Sequence, residues 1–230
     1  MAIHITSNTR SLCVRSTSRE QLRSIIKYEL EHQGPDADLN FIDTSLITDM
    51  SELFYGLGNA IRNIKIDEWD VSNVKDMNGM FEGCNMFTGS GLGNWDVSNV
   101  TNMSNMFEGG ASFVGIGLEN WDTSNVIHVS CMFHGATSFN GILSTWNTKN
   151  VVDMYKMFEG AESFTGTGIG SWNVSNVIDM RWMFCGATSF VGVGLENWDI
   201  SNVKQMDAIF DNTKLDVYTV FYKQIPTMPY

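Results

Sequence analysis

Apolar positions along this chain follow a pattern that changes period and then begins again. In Trp95-Asp96-Val97-Ser98 they alternate with polar residues, as in a short strand with one buried face. Met103, Met106, Phe107 and Gly110 then fall at i, i+3, i+4 and i+7, the spacing of one helical face. Asn102, an aspartate at Asp76, Asp153 and Asp179, stands where a helix N-cap is expected. Gly109 and its counterparts Gly83, Gly135, Gly160 and Gly186 would end so short a helix. Phe113-Val114-Gly115-Ile116-Gly117-Leu118 then leads back to the next tryptophan.

The whole unit recurs. Its tryptophan returns at Trp69, Trp95, Trp121, Trp146, Trp172 and Trp198, at intervals of 25 or 26 residues, and a weaker copy from Ile42 to Glu68 precedes the first. A fixed period of this size predicts a solenoid of about seven coils of 25–27 residues. One parallel strand per coil is expected near Val71, Val97, Thr123, Thr148, Val174 and Ile200, with right-handed crossovers between them. No coil could bury its apolar face alone, so columns of Trp, Val, Met and Phe are expected to form one continuous core. The asparagine after each strand, at Asn73, Asn99, Asn125, Asn150, Asn176 and Asn202, reads as architectural, bonding turn backbone or stacking into a ladder.

The ends depart from the repeat. Ser11-Leu12-Cys13-Val14-Arg15 reads as a strand, and Thr17 with Glu20 has capping-box spacing ahead of a helical stripe of Leu22, Ile25, Ile26 and Leu30 that Gly34-Pro35 stops. Residues 1–41 are therefore assigned to an N-terminal cap of strand plus helix, 42–210 to the repeats, and 211–230 to a C-terminal cap. In the latter, Val217, Val220, Phe221 and Tyr222 cover the last coil, and Pro226 and Pro229 prevent continuation. Two caps predict a monomer and argue against the alternative of a structural protein that self-associates end to end.

The unit W-D-V-S-N-V-x-D-M-x-x-M-F-x-G-A-x-S-F, found six times between about Asn40 and Phe210, resembles that of the BspA-type leucine-rich-repeat surface proteins of bacteria, which have relatives in some parasitic protists. The resemblance implies an α/β, right-handed, leucine-rich-repeat-like solenoid acting as a binding or adhesion module. Local departures include Val129 for the first Met of its coil, Cys185 for Glu and Lys149 for Ser.

Composition narrows the partners. Charged residues make up 17% of the chain and the formal net charge is −12, which disfavours nucleic acid and anionic membranes. Apolar runs are only a few residues long, so no transmembrane helix is expected, and Met1-Ala2-Ile3-His4-Ile5-Thr6 lacks the form of a signal peptide. Cys13, Cys84, Cys131 and Cys185 have no framework spacing and are read as free thiols.

Candidate chemistry is sparse. His128, Cys131 and His134 could offer zinc ligands, but six residues separate the histidines, which places them about 120° apart on a helix. The column after each tryptophan, Asp70, Asp96, Asp122, Asn147, Asn173 and Asp199, reads mainly as solvated carboxylates bonded to local backbone, with a cationic partner surface and calcium as alternatives. The recurring Gly-x-Gly pairs belong to the return turn and form no nucleotide loop. No metal, cofactor or catalytic residue is assigned, and a non-enzymatic module that binds an unidentified protein is expected. Its surface is sought where the repeats vary. Ile127, Val152 and Ile178 are apolar where outer coils carry Lys75, Thr101 and Lys204, and Tyr155, Lys156, Arg181 and Trp182 lie beside them. Aromatic and arginine anchors in an apolar patch suit an interface. The alternative is that Ile127, Val152 and Ile178 point inward and complete the core.

Overall fold

A computed structural model describes residues 14–222 and 224. Strand β1 (Val14–Arg15) pairs in parallel with β2 (Ile42–Asp43), Val14 opposite Ile42 and Arg15 opposite Asp43. Helix α1 (Arg19–Gln33) lies between them in sequence, and a one-turn helix α2 (Val217–Val220) follows the last repeat. Of the strand expected over 11–15, Ser11 to Cys13 lie outside the described residues, as do Pro226, Pro229, Cys13 and the segment 1–6.

Successive repeats lie side by side in parallel. Single parallel bridges link Asp49 to Asp76, then Asn102, His128, Asp153, Asp179 and Gln205, one position per repeat. This corrects two expectations. The Trp-x-Val stretches near Val71, Val97, Thr123, Thr148, Val174 and Ile200 are not strands, and pairing falls instead at the position expected to cap a helix. The helices themselves do not form: Met103 to Gly110 is a run of turns.

The reason lies in where the amide protons go. In Met103 to Gly110, alternate amides donate across to the next repeat, Met103 to the His128 carbonyl, Asn105 to Ser130, Phe107 to Met132 and Gly109 to His134. The amides between them close tight turns, such as Met106 to Met103 and Glu108 to Asn105. A helix would need all of them for bonds four residues back. The backbone also reverses hand once early in each segment, at Glu52, Gly79, Asn105, Cys131, Lys156, Trp182 and Ala208, with φ between +52° and +58°. A right-handed helix cannot pass such a residue. Asp76, Asn102, Asp153 and Asp179 still accept the amide two residues on, so their capping chemistry survives as a turn.

Packing follows the predicted columns. Phe81, Phe107, Phe133, Phe158, Phe184 and Phe210 stack from repeat to repeat at 5.5–5.9 Å between ring centres. A second column, Phe113, Phe139, Phe164 and Phe190, runs beside it at 5.5–6.0 Å. The six tryptophans of the repeat column are buried, and each indole Nε1 donates to a carbonyl in the preceding repeat, as Trp121 does to Leu92 at 2.9 Å. That satisfies the polar atom which would otherwise penalise burial. The asparagine column works in the same direction, Asn99 Nδ2 donating to Ser72 O and Asn125 to Ser98 O, so it stitches neighbouring backbones together and does not stack side chain on side chain. Gly115 is required where the return loop presses on the second column: its φ is +82°, and a Cβ there would sit 2.4 Å from the Phe139 ring.

Helix α1 closes the first repeat with Leu22, Ile26 and Leu30 buried. Its N-cap is Ser18, whose Oγ accepts from the Gln21 amide, one residue beyond the Thr17 expected from the sequence. Thr17 instead bonds the Gln21 side chain, so the box is formed by Gln21 and not by Glu20. At the other end Phe221 is buried on Phe210, ring centres 6.1 Å apart, while Tyr222 is exposed.

Candidate functional site

The segment from each bridge to its glycine carries side chains, most of them reaching the surface, at positions that change from repeat to repeat. One such position holds Asn78, Ser104, Ser130, Tyr155, Arg181 and Asp207, and the left-handed position that follows holds Gly79, Asn105, Cys131, Lys156, Trp182 and Ala208. Because the bridges register neighbouring repeats, Tyr155-Lys156 of one lies against Arg181-Trp182 of the next.

These four half-buried side chains form one cluster. The Tyr155 and Trp182 rings meet edge to face at 5.7 Å. Lys156 Nζ stands 4.8 Å from the Trp182 ring centre and 5.6 Å from that of Tyr155, and the Arg181 guanidinium carbon is 5.1 Å from Tyr155. Arg181 also holds Asp179 through its fork, at 2.6 Å from Nη2 to Oδ2. Cations over aromatic faces pre-set the rings in one geometry, which lowers the entropy lost on binding. Ile127 and Val152 are half-buried and Ile178 is 44% exposed, whereas their neighbours Val126, Val151 and Val177 fill the core. Ile127, Val152 and Ile178 therefore reach the surface and do not complete the core.

An ionic row adjoins it. Glu159 Oε2 lies 2.9 Å from Lys156 Nζ and 3.5 Å from His134 Nε2, yet no donor is aligned on it as a hydrogen bond, so charge holds it there. His134 Nδ1 meets Glu108 Oε1 at 3.1 Å, so the imidazole spans carboxylates from the repeats on both sides. The bond to Glu108 raises the His134 pKa above its usual value, against the opposing pull of burial. Lys156 is named from the sequence only as lying beside the candidate patch, and Glu159 is not named there at all. The available signal was the change from Gly79, Asn105 and Cys131 to Lys156 at one repeat position.

The other candidates separate. His128 is exposed at a bridge position, and Cys131 is half-buried with its thiol pushed up to about 12 by burial, which leaves it protonated at neutral pH. Among the described residues no group of three or more His, Cys, Asp or Glu side chains is placed to hold a metal ion. Asp70, Asp96, Asp122 and Asp199 are exposed, and Oδ1 of each accepts the amide of the serine two residues on, Ser72, Ser98, Ser124 and Ser201. Those bonds lower the pKa values of Asp122 and Asp199, with the serine side chain as the leading cause. This column thus has a structural role in every repeat, and its second oxygens remain on the surface. No helix among the described residues is long and apolar enough to cross a membrane.

Comparison with curated proteins and with solved structures returned no match. A family pattern does match, over residues 26–117 and again over 112–218, so that together the two matches span most of the chain. The chain belongs to the repeat family described as "Mycoplasma protein of unknown function, DUF285".

Proposed function

We propose that this protein is a non-enzymatic interaction module, a right-handed leucine-rich-repeat-like solenoid of the BspA type that presents a rigid surface to a protein partner. The observation that carries this reading is the Tyr155–Lys156–Arg181–Trp182 cluster, a pre-set aromatic and cationic patch on two adjacent repeats, with Ile127, Val152 and Ile178 also reaching the surface. Trp182 occupies a left-handed backbone position, φ +56°, that suits glycine and disfavours a bulky residue. A large side chain held at such a cost points to use of that side chain. Aromatic and arginine anchors near a partly desolvated centre supply most of the energy in known interfaces. Asp70, Asp96, Asp122 and Asp199 offer a second, acidic face on which a cationic partner could be steered.

The test replaces Tyr155 and Trp182 together with Ala and measures partner capture and melting temperature side by side. Loss of capture with a melting temperature within a few degrees of the parent supports the patch. Capture at parental strength by a folded double variant sinks it.

A further inference from the structure

Each repeat segment from bridge to glycine has two different edges. Its alternate amides all donate towards the following repeat, as Met180, Trp182, Phe184 and Gly186 donate to the carbonyls of Gln205, Asp207, Ile209 and Asp211. The carbonyls between those amides all face the preceding repeat. An ordinary strand presents donors and acceptors alternately on each edge. Apart from the bridge residue's own amide, which donates backwards as Asn102 does to Lys75 O, one edge of this segment carries only donors and the other only acceptors, so the stack of segments is polar and its two ends are complementary.

The ends are finished unequally. At the first repeat the exposed carbonyls would be those of Ser51, Leu53 and Tyr55, which correspond to Ser104, Met106 and Glu108 inside the stack. Helix α1 takes all three with arginine: Arg19 Nη1 donates to Ser51 O at 3.1 Å, Arg23 Nη1 to Leu53 O at 2.5 Å, and Arg23 Nη2 to Tyr55 O. The guanidinium protons stand where the amides of a preceding repeat would be. At the last repeat the corresponding donors are the amides of Met206, Ala208, Phe210 and Asn212, and none has an acceptor among the described residues. Met206 is only half-buried there, whereas its counterpart Met180 is fully covered by the next repeat. Phe221 covers the aromatic column beside it and supplies no acceptor to this row of amides, which have none among the described residues.

We propose that this donor edge is a docking site for the acceptor edge of a first repeat in a second copy of the chain, and that Arg19 and Arg23 hold the protein monomeric by occupying that acceptor edge. The backbone match is the one already made between neighbouring repeats: four amides at two-residue spacing facing four carbonyls, here those of Asp49, Ser51, Leu53 and Tyr55, of which the arginines take the last three, with Met206 entering the same dry column as Met180. A row of unpaired backbone groups at the end of a stack is a template for another chain, and covering it with side-chain charge is one way such edges are kept apart. The inference stands independently of the reading of the Tyr155–Trp182 patch.

The experiment compares the parent with an Arg19→Ala/Arg23→Ala variant by sedimentation and light scattering over a range of concentrations. The parent should remain at monomer mass, while the variant should grow with concentration into linear multiples of it. Adding Met206→Glu to the variant puts a carboxylate into the column that docking must dehydrate, and should return it to monomer mass. A folded double variant that stays monomeric overturns the proposal, and so does association that Met206→Glu leaves unchanged. Should the double variant fail to fold, as read by circular dichroism, Arg23→Ala alone frees the Leu53 and Tyr55 carbonyls while Arg19 still anchors the helix. The same two outcomes then decide.

Discussion

Trp121 and His134 show how much a single side chain contributes here. Trp121 is 3% exposed, stacks on Trp146 at 6.3 Å and gives its indole proton to Leu92 of the repeat before. Trp121→Ala should therefore cost roughly 3–5 kcal/mol, and a denaturant melt equal to that of the parent would remove it from the core. His134 makes its contribution through charge. Glu108 and Glu159 face it, Lys156 opposes them, and the net effect raises its pKa on folding. Its stabilisation is therefore complete below its unfolded value of about 6.5 and is lost as pH rises through the higher folded value. Melting temperature should fall as pH rises above about 6.5, and His134→Gln should flatten that slope; an unchanged slope would assign it to other groups. These roles differ in how far the sequence disclosed them. Trp121 was legible because its spacing repeats, whereas the partners of His134 lie 26 and 25 residues away and become neighbours only when the repeats stack.

At the scale of the repeat, the columns were legible and the backbone was not. Met103, Met106, Phe107 and Phe113 point inward as their spacing implied, yet the i, i+3, i+4 pattern is shared by a helix and by a chain of tight turns. Two features decide between them. Asn105 and Gly109 both have positive φ four residues apart, and the alternate amides bond across repeats. The asparagine at that position gave no warning, since Glu, Cys, Lys, Trp and Ala take the same conformation in other repeats. Strand pairing moved from the Trp-x-Val stretch to the Asp76–Asn102–His128 row for a related reason. Val97 and Val100 close a turn by the Val100 amide to the Val97 carbonyl, so the stretch cannot stay extended. The return loop makes the sharpest demand on the sequence. Gly115→Ala forces a Cβ into the Phe139 ring at a left-handed φ, and a loss of about 1–3 kcal/mol is expected from the strained backbone alone. A thermal melt within error of the parent would show that the two aromatic columns can part without cost.

For the whole molecule, on the proposed reading, the repeats supply a frame and the variable positions supply recognition. The net charge of −12 is distributed over a surface on which Lys156 and Arg181 are each matched by a neighbouring carboxylate, so the aromatic patch is nearly neutral within an acidic surround. Such a patch favours contact by shape and ring burial over long-range steering. Stability should be shared between adjacent repeats, with damage at one felt most by its two neighbours. Hydrogen exchange of the backbone amides, measured for the free protein and with its captured partner bound, tests the interaction account most directly. The account predicts added protection centred on Tyr155 to Glu159 and Arg181 to Cys185, with little change elsewhere. Protection confined to the repeats' acidic column at Asp70, Asp96, Asp122 and Asp199, with none around Tyr155 and Trp182, would contradict it.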